Sequence, residues 1–570
     1  MTVSARLPVV LLWHMHQPEY RDALSGQYVL PWTYLHAIKD YTDMAAHLEA
    51  RPGARAVVNF TPVLLEQLDD LAQRVARHLA RGDPLPDPVL ALLGPAPLPE
   101  GGAERASLIR ACLRAHRQHL IERFAPYKDL AALAEPLATP EHAVYAADAL
   151  VRDLAVWYHL AWMGETVRRS DVRIAALAEQ GRGFTAAQRR ALLALVGELL
   201  AGIIPRFKRL AAEGRCELSV TPYGHPILPL LIDFRSARES VPDAPLPRHA
   251  HYPGGAERAA WHVAEAIRVF ERCFGMRPAG CWPAEGAVSE AALRLLESEG
   301  FQWAASGGGV LRASLAASEV RTDQPGTFER PYRLEGGRLP CWFRDDRLSD
   351  LIGFTYATWH GDDAARNLAH ELGQIAESGA LAGRAVLIAL DGENAWEHYP
   401  FNGYYFLDSL YALLSEHPLL ELTTLSSLAS RIEARPLERI VAGSWVHGTL
   451  ATWMGDPAKN AAWDLLCDAK IAYDDAMARG PLTAEQRRAA ERQLALCESS
   501  DWFWWFGDYN PPEAVRQFDE LYRRQLANLY RLIARPAPEA LAKPISIGRG
   551  EMEGRGEMEH GGVMRRATAK

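Results

Sequence analysis

The chain has 570 residues, 48% of them hydrophobic and 23% charged, and carries a net charge of −9. That length exceeds one ordinary core and predicts a large domain with smaller units attached. The acidic balance argues against a nucleic-acid partner and favours a neutral or polar small substrate.

Seven cysteines, none in a Cys-x-x-Cys pair, argue against a disulfide framework or zinc ribbon and for a reducing compartment. No apolar run reaches the ~18 residues a membrane span needs, so no membrane partner is expected. The apolar run 8–13 is too short for a signal peptide, and a cytoplasmic protein is expected.

Residues 9–13 are a short, unbroken apolar run, the pattern of a strand buried on both faces. The run leads straight into His14-Met15-His16-Gln17-Pro18. His14 and His16 alternate, so an extended backbone turns both to one side. Such a pair binds a metal or a polar ligand, or simply packs locally. A second strand is expected over 56–61. The long stretch 64–212 is rich in Leu, Ala and Arg at helical spacing, with proline-rich breaks at 83–88 and 95–99. It predicts several helices inserted between the second and third strands.

The third strand, 216–221, is followed by Pro222-Tyr223-Gly224-His225, which puts His225 just beyond a strand end. A short fourth strand, 279–282, precedes Glu285. Glu285 is either an acid at a helix N-terminus or a catalytic carboxylate. The fifth strand, 301–305, runs into a glycine-rich turn at 306–309. No Gly-Lys-Ser/Thr follows, so it is no phosphate loop. The sixth strand, 339–343, ends at Arg344 beside Asp345. The arginine is either half of a surface pair or a cation holding a nearby carboxylate ionised. The seventh strand, 386–390, turns abruptly polar at Asp391-Gly392-Glu393-Asn394. Asp391 and Glu393 share a parity; capping the next helix is the competing role for Asp391 or Asn394.

Seven buried strands separated by helices predict an α/β fold of parallel strands joined by crossovers. Five strand ends carry His14 and His16, His225, Glu285, Arg344, and Asp391 with Glu393. These groups meet on one face if the sheet curls into a barrel. Residues 1–430 are expected to form that barrel, with helices inserted at about 64–212 and residues 403–428 closing it. Residues 431–543 are expected to form an α-helical unit contributing to the cleft. Residues 544–570 show no apolar period and are expected to be disordered. Of the 16 tryptophans, Trp282, Trp396, Trp445, Trp453 and Trp502 sit in polar, loop-like company. Exposed indole faces suit the apolar face of a sugar ring. Ser500 and Asp501 beside Trp502 point to a cleft wall.

A carboxylate pair with aromatics in a cleft for a neutral substrate suggests glycoside chemistry. One carboxylate attacks the anomeric carbon; the other, protonated, donates to the leaving oxygen. The motifs at 14–18, 224–229, 281–286 and 390–394, in that order, resemble those of family 57 of the glycoside hydrolases. The segments 343–354, 443–455 and 500–505 resemble its amylopullulanase and α-amylase branch in particular. The resemblance spans about 9–507. It implies an incomplete seven-stranded (β/α)7 barrel with a C-terminal helical domain. It also implies a retaining mechanism on an α-glucan or maltodextrin, with no cofactor and no catalytic metal. By motif, Glu285 would be the nucleophile and Asp391 the acid/base. His14, His16, His225 and Glu393 would line the −1 sugar site. Trp282, Trp396, Trp445 and Trp502 would stack on sugar or wall the cleft, with Arg344 and Asp501 beside them. The expected activity is hydrolysis of α-1,4 glucosidic bonds, with α-1,6 cleavage left open.

Transfer to a sugar acceptor, as in a 4-α-glucanotransferase or a branching enzyme, uses the same site. A metal-dependent polysaccharide deacetylase would instead take His14, His16 and Asp391 as ligands. A glucan-binding protein without chemistry would not need Glu285 and Asp391. The missing export segment points to an intracellular glucan or an imported maltodextrin.

Overall fold

The computed structural model describes residues 6–479 and 481–550. One ten-stranded sheet organises it: β1 (Leu7–Met15), β2 (Ala56–Phe60), β3 (Cys216–Val220), β4 (Gly280–Cys281), β5 (Trp303–Ser306), β6 (Tyr332–Leu334), β7 (Cys341–Phe343), β8 (Val386–Asp391), β9 (Leu420–Leu422) and β10 (Arg435–Leu437). The order is β10-β6-β7-β5-β4-β3-β2-β1-β8, with β9 also pairing β1. Every pair is parallel except β6 with β7.

The strands from β7 round to β8 are the seven expected from the sequence. Their sheet curls until its two ends nearly meet. Arg344, just past β7, forms a lone parallel bridge to Leu387 of β8. The Asp345 N–H donates to the Leu387 carbonyl at 2.8 Å. The barrel is therefore incomplete, closed by a single bridge where a further strand pair would complete the cylinder. The three additional strands, β6, β9 and β10, have three residues each.

Strand parity sorts the core into two clusters. Val9, Leu11, Trp13 and Met15 of β1 join the large cluster under the helices. Val10 and Leu12 face the barrel interior with Val57, Trp303, Ala305, Trp342, Leu387 and Ala389. Successive side chains alternate across a strand, so the same parity carries on to His14, Asn59, Arg344 and Asp391 at the upper strand ends. Gly280 admits Trp303 to this interior: a Cβ there would lie 1.7 Å from the indole ring. The lower end is plugged by Leu425 and Leu428 of the helix Leu425–Ala429. Glu217 of β3 ties that helix in, accepting from the Ser426 N–H at 2.9 Å and the Trp303 indole at 2.6 Å. Residues 403–428 thus close the bottom of the barrel as well as adding β9 beside the start of β1.

Between β2 and β3 the described chain is entirely helix and turn, from Pro62–Arg81 to Ala186–Ala212. After β10 come the helices Pro457–Arg479, Ala484–Cys497, Ser500–Trp505 and Pro512–Leu532. No described helix is long and apolar enough to cross a membrane. The disordered tail expected from residue 544 lies mostly outside the described residues, at 551–570. Its first residues are packed instead. The Ile545 N–H donates to Asp519 at 2.7 Å, and the Ser546 hydroxyl accepts from the Gly507 N–H at 3.0 Å.

Candidate active site

Three histidines stand at the upper mouth of the barrel. His14 shares a register level with Asn59 of β2 and Asp391 of β8. Its Nδ1 lies 2.7 Å from Asn59 Oδ1, and the Asn59 amide donates to Ser219 Oγ, which fixes which way the amide faces. Asn59 Oδ1 is therefore an acceptor, His14 Nδ1 carries the proton, and Nε2 is bare. Bare Nε2 faces His225 Nε2 at 3.1 Å, so that atom donates. His225 Nδ1 then accepts from the Ser500 hydroxyl at 2.8 Å. One directed chain runs from the C-terminal helices through two neutral rings to the second strand. Burial, with His16 close by, pushes His14 down to about 3. Burial and both neighbouring histidines push His225 far down as well.

His16 stacks on His225 with ring centroids 3.8 Å apart and planes within 13°. Its Nε2 contacts Asp501 Oδ1 at 2.8 Å and its Nδ1 contacts Thr61 Oγ1 at 3.1 Å.

Two carboxyl groups face this cluster. Glu285 sits just past β4 with φ 58°, a left-handed conformation a glutamate adopts only when its surroundings dictate it. Its Oε2 accepts from the Trp445 indole at 2.9 Å, its carbonyl accepts from the Trp445 N–H at 3.0 Å, and Oε1 lies 4.0 Å from His225 Nδ1. Burial first, then the charge of Asp391, push its carboxyl well above the usual range, and the Trp445 indole only partly offsets them. Asp391, half-buried at the end of β8, accepts from the Asn394 amide at 2.8 Å. Burial raises it to about 6 against the opposing pull of Asn394, His16 and Arg344. The Asp391 charge thus raises the proton affinity of Glu285, and burial raises that of both.

Glu393 lies deeper. Its Oε1 accepts from the His16 N–H at 3.1 Å, and its Oε2 has no partner among the described residues. Burial and the Asp391 charge push its carboxyl far up. Arg344 reaches Asp346 at 3.0 Å, Asp350 at 2.9 Å and the Ala389 carbonyl at 3.1 Å. It does not touch Asp391 and acts on it through its charge. Its guanidinium also lies 5.1 Å from the centre of the Trp445 ring.

The tryptophans divide. Trp445 is partly open and forms the floor beside Glu285. Trp282 is fully buried beneath it, with ring centres 5.1 Å apart. Trp502 is buried too, its indole donating to the Leu496 carbonyl, and forms the wall behind Asp501. Trp396 corrects the sequence expectation. It lies in the outer core against Trp13, Tyr399 and Phe406, and donates to the Gly392 carbonyl at 2.9 Å. It braces the turn carrying Asp391 and Glu393 from behind and does not reach the cleft.

A buried network outside the sequence expectation holds the helical wall in place. Glu498, immediately before Ser499, accepts from Tyr252 at 2.6 Å, Arg258 at 2.8 and 2.9 Å and His262 at 2.7 Å. Burial alone would push Glu498 up. The Arg258 charge and the His262 hydrogen bond outweigh it and hold the carboxyl at about 2. His262 in turn contacts the Tyr223 carbonyl, one residue before Gly224. Gly224, at φ +72°, lets the two units touch, since a Cβ there would lie 2.6 Å from the Ala495 carbonyl. Asn59 also escaped notice; an amide inside an apolar strand at the inward parity was its signal. Glu498 gave no sequence signal, because its partners lie more than 200 positions away.

Ligand-type atoms of His16, His225 and Asp501 lie within 4.8 Å of one another. A metal needs a lone pair from each imidazole, directed in the ring plane, at about 2.0–2.1 Å. Nearly parallel rings 3.8 Å apart cannot both aim such lone pairs at one ion. The trio expected for a deacetylase, His14, His16 and Asp391, is not assembled either: His14 commits both nitrogens, to Asn59 and His225.

The profile of glycosyl hydrolase family 57 matches residues 10–442. The chain belongs to that family. Its fold is also that of solved family members. A family-57 branching enzyme from Thermococcus kodakaraensis superposes with a TM-score of 0.56 at 14% identity, over 92% of this chain and 90% of that one. A branching enzyme of the same type from Pyrococcus horikoshii gives 0.55 at 15%, over 96% and 99%. The α-amylase AmyC from Thermotoga maritima gives 0.55 at 14%, over 94% and 95%. Comparison with curated protein sequences finds no match. In this family-57 chain, the motif residues Glu285 and Asp391 face the three-histidine cluster at the barrel mouth.

Proposed function

We propose that this protein is a retaining α-glucan hydrolase that cleaves α-1,4 glucosidic bonds by double displacement, with Glu285 as nucleophile and Asp391 as acid/base. The observation that carries the proposal is the meeting of both carboxyls with the three-histidine cluster at one barrel mouth: Glu285 Oε1 lies 4.0 Å from His225 Nδ1, and Asp391 stands level with His14 on the neighbouring strand. In the first step Glu285 attacks the anomeric carbon while Asp391 gives its proton to the leaving glycosidic oxygen. In the second, Asp391 takes a proton from water, which displaces Glu285. Turnover needs one proton on the pair, carried by Asp391. Positive charge building at the anomeric carbon beside Glu285 draws the negative charge there. Neutral His14 and His225 spend their nitrogens on the donor chain from Ser500 to Asn59 and wall the mouth without adding charge. Seven unpaired cysteines, six of them buried, support a reducing compartment and an intracellular glucan.

Water and a sugar hydroxyl compete for the same step, and the fold is shared with branching enzymes and an amylase alike. The product profile on maltoheptaose, amylose and pullulan tests the choice. Hydrolysis predicts short sugars with new reducing ends. Products longer than maltoheptaose would mean glucanotransfer, and new α-1,6 branches in amylose would mean branching. Pullulan cleavage reports on α-1,6 bonds.

A further inference from the structure

The helix Pro62–Arg81 turns Leu64, Leu68, Leu71 and Val75 to the core, and among them a fully buried amide, Gln67. A leucine would suit that spacing. A buried amide costs free energy unless its hydrogen bonds are made. Gln67 makes them on both atoms. Its Oε1 accepts from the Tyr20 N–H at 3.3 Å and the Thr33 hydroxyl at 3.0 Å. Its Nε2 donates to the Pro18 carbonyl at 2.9 Å and the Gln17 carbonyl at 3.5 Å. The Tyr20 N–H can only donate and the two carbonyls can only accept, so the amide has one orientation. Gln17, Pro18 and Tyr20 form the turn by which the chain leaves β1, directly after His16. That turn meets the candidate site on its other side. The His16 N–H donates to Glu393 Oε1 at 3.1 Å, and Gln17 Nε2 reaches the same oxygen at 3.4 Å. Gln17 Oε1 accepts from the Tyr20 hydroxyl at 3.1 Å, and the His16 carbonyl accepts from Tyr41 at 3.4 Å. The turn is held between Glu393 in front and Gln67 behind. Its placement fixes where His16 stacks on His225 and which way the Glu393 carboxyl faces.

We propose that Gln67 is a positioning residue for the hydrolysis, acting through the turn 16–20 on His16 and Glu393 and touching no substrate itself. The proposal rests on the α-glucan reading above. Gln67→Met keeps the length and the packing and deletes the amide. A misplaced turn disturbs the sugar at the carboxyls and leaves the rest of the glucan chain bound. The kcat on maltoheptaose should therefore fall about tenfold, with KM within about twofold of the parent. Gln67→Glu gives a second signature. Its ionised carboxylate would oppose the Pro18 and Gln17 carbonyls, whereas its protonated form donates to Pro18. Burial raises that carboxyl, so the kcat of Gln67→Glu relative to the parent should climb as pH is lowered from about 8 to about 5. A role in fold stability alone would lower Tm while leaving kcat at temperatures well below it, and the pH ratio flat; that result would overturn the proposal. Hydrogen exchange of the full chain without sugar tests the tether apart from the chemistry. Peptides spanning 14–20 should exchange about tenfold faster in Gln67→Met, with 7–13 unchanged. Equal exchange at 14–20 would also overturn the proposal. Faster exchange there, in a protein whose parent is inert on every α-glucan, would sink the hydrolase reading and leave Gln67 as the holder of the turn.

Discussion

Glu285 and His225 both hold φ near +60°, and neither is a residue that chooses it. Such strain costs of order 1–3 kcal/mol per residue and persists only where the surroundings over-determine it. Here the surroundings are Trp445, which grips Glu285 from side chain and backbone, and Ser500, which bonds His225 in the same double fashion. Asp391 is tuned by smaller forces, and Asn394 is the first of those opposing burial. Removing that amide leaves the carboxylate with one donor fewer, so its proton affinity rises above the present value near 6. The carboxyl pair then takes up its second proton at higher pH, and activity fails earlier on acidification. For Asn394→Ala, the acid limb of kcat/KM against pH should move up by about half a unit or more. An unmoved limb, or one displaced to lower pH, would contradict this account of Asp391. The sequence disclosed these residues through their place at strand ends. It could not disclose that Trp396 faces away from the cleft, since an indole after a polar turn reads the same on either side of the sheet.

Parity along the strands is what converts a list of polar residues into a site. Because Val10 and Leu12 face the barrel interior, His14 must too, and the same count on β8 brings Asp391 to its side. That much was legible, and so was the long helical insertion. The strands β6, β9 and β10 were not, because three residues carry too little periodicity to register. Nor was the clamp around Glu498 legible, since it joins helices distant in sequence. The clamp is an element-scale device: it fixes Ala484–Cys497 against Gly255–Phe274 and so sets where Ser500 and Asp501 stand. Glu498→Gln leaves Arg258 buried without its counter-charge, which costs about 3–5 kcal/mol. The carboxyl is depressed in the folded protein, so its contribution is complete above pH ~4.5 and is lost as pH falls toward about 2. Urea unfolding at several pH values should show the parent converging on the variant as the solution is acidified through that window. Equal stabilities at neutral pH would dismiss the clamp.

At the scale of the whole molecule, the mouth is a seam. The barrel brings His14, His16, His225, Glu285 and Asp391; the C-terminal helices bring Ser500, Asp501 and Trp502. Neither part holds the donor chain from Ser500 to Asn59 by itself. The central claim is that Glu285 becomes covalently joined to sugar. Incubation with a 5-fluoro-α-glucosyl fluoride, then proteolysis and mass spectrometry of the peptides, measures that bond directly. The account predicts one 5-fluorohexosyl adduct on the peptide containing Glu285, absent from Glu285→Gln. An adduct on Asp391, or on any other residue of an active preparation, would contradict it.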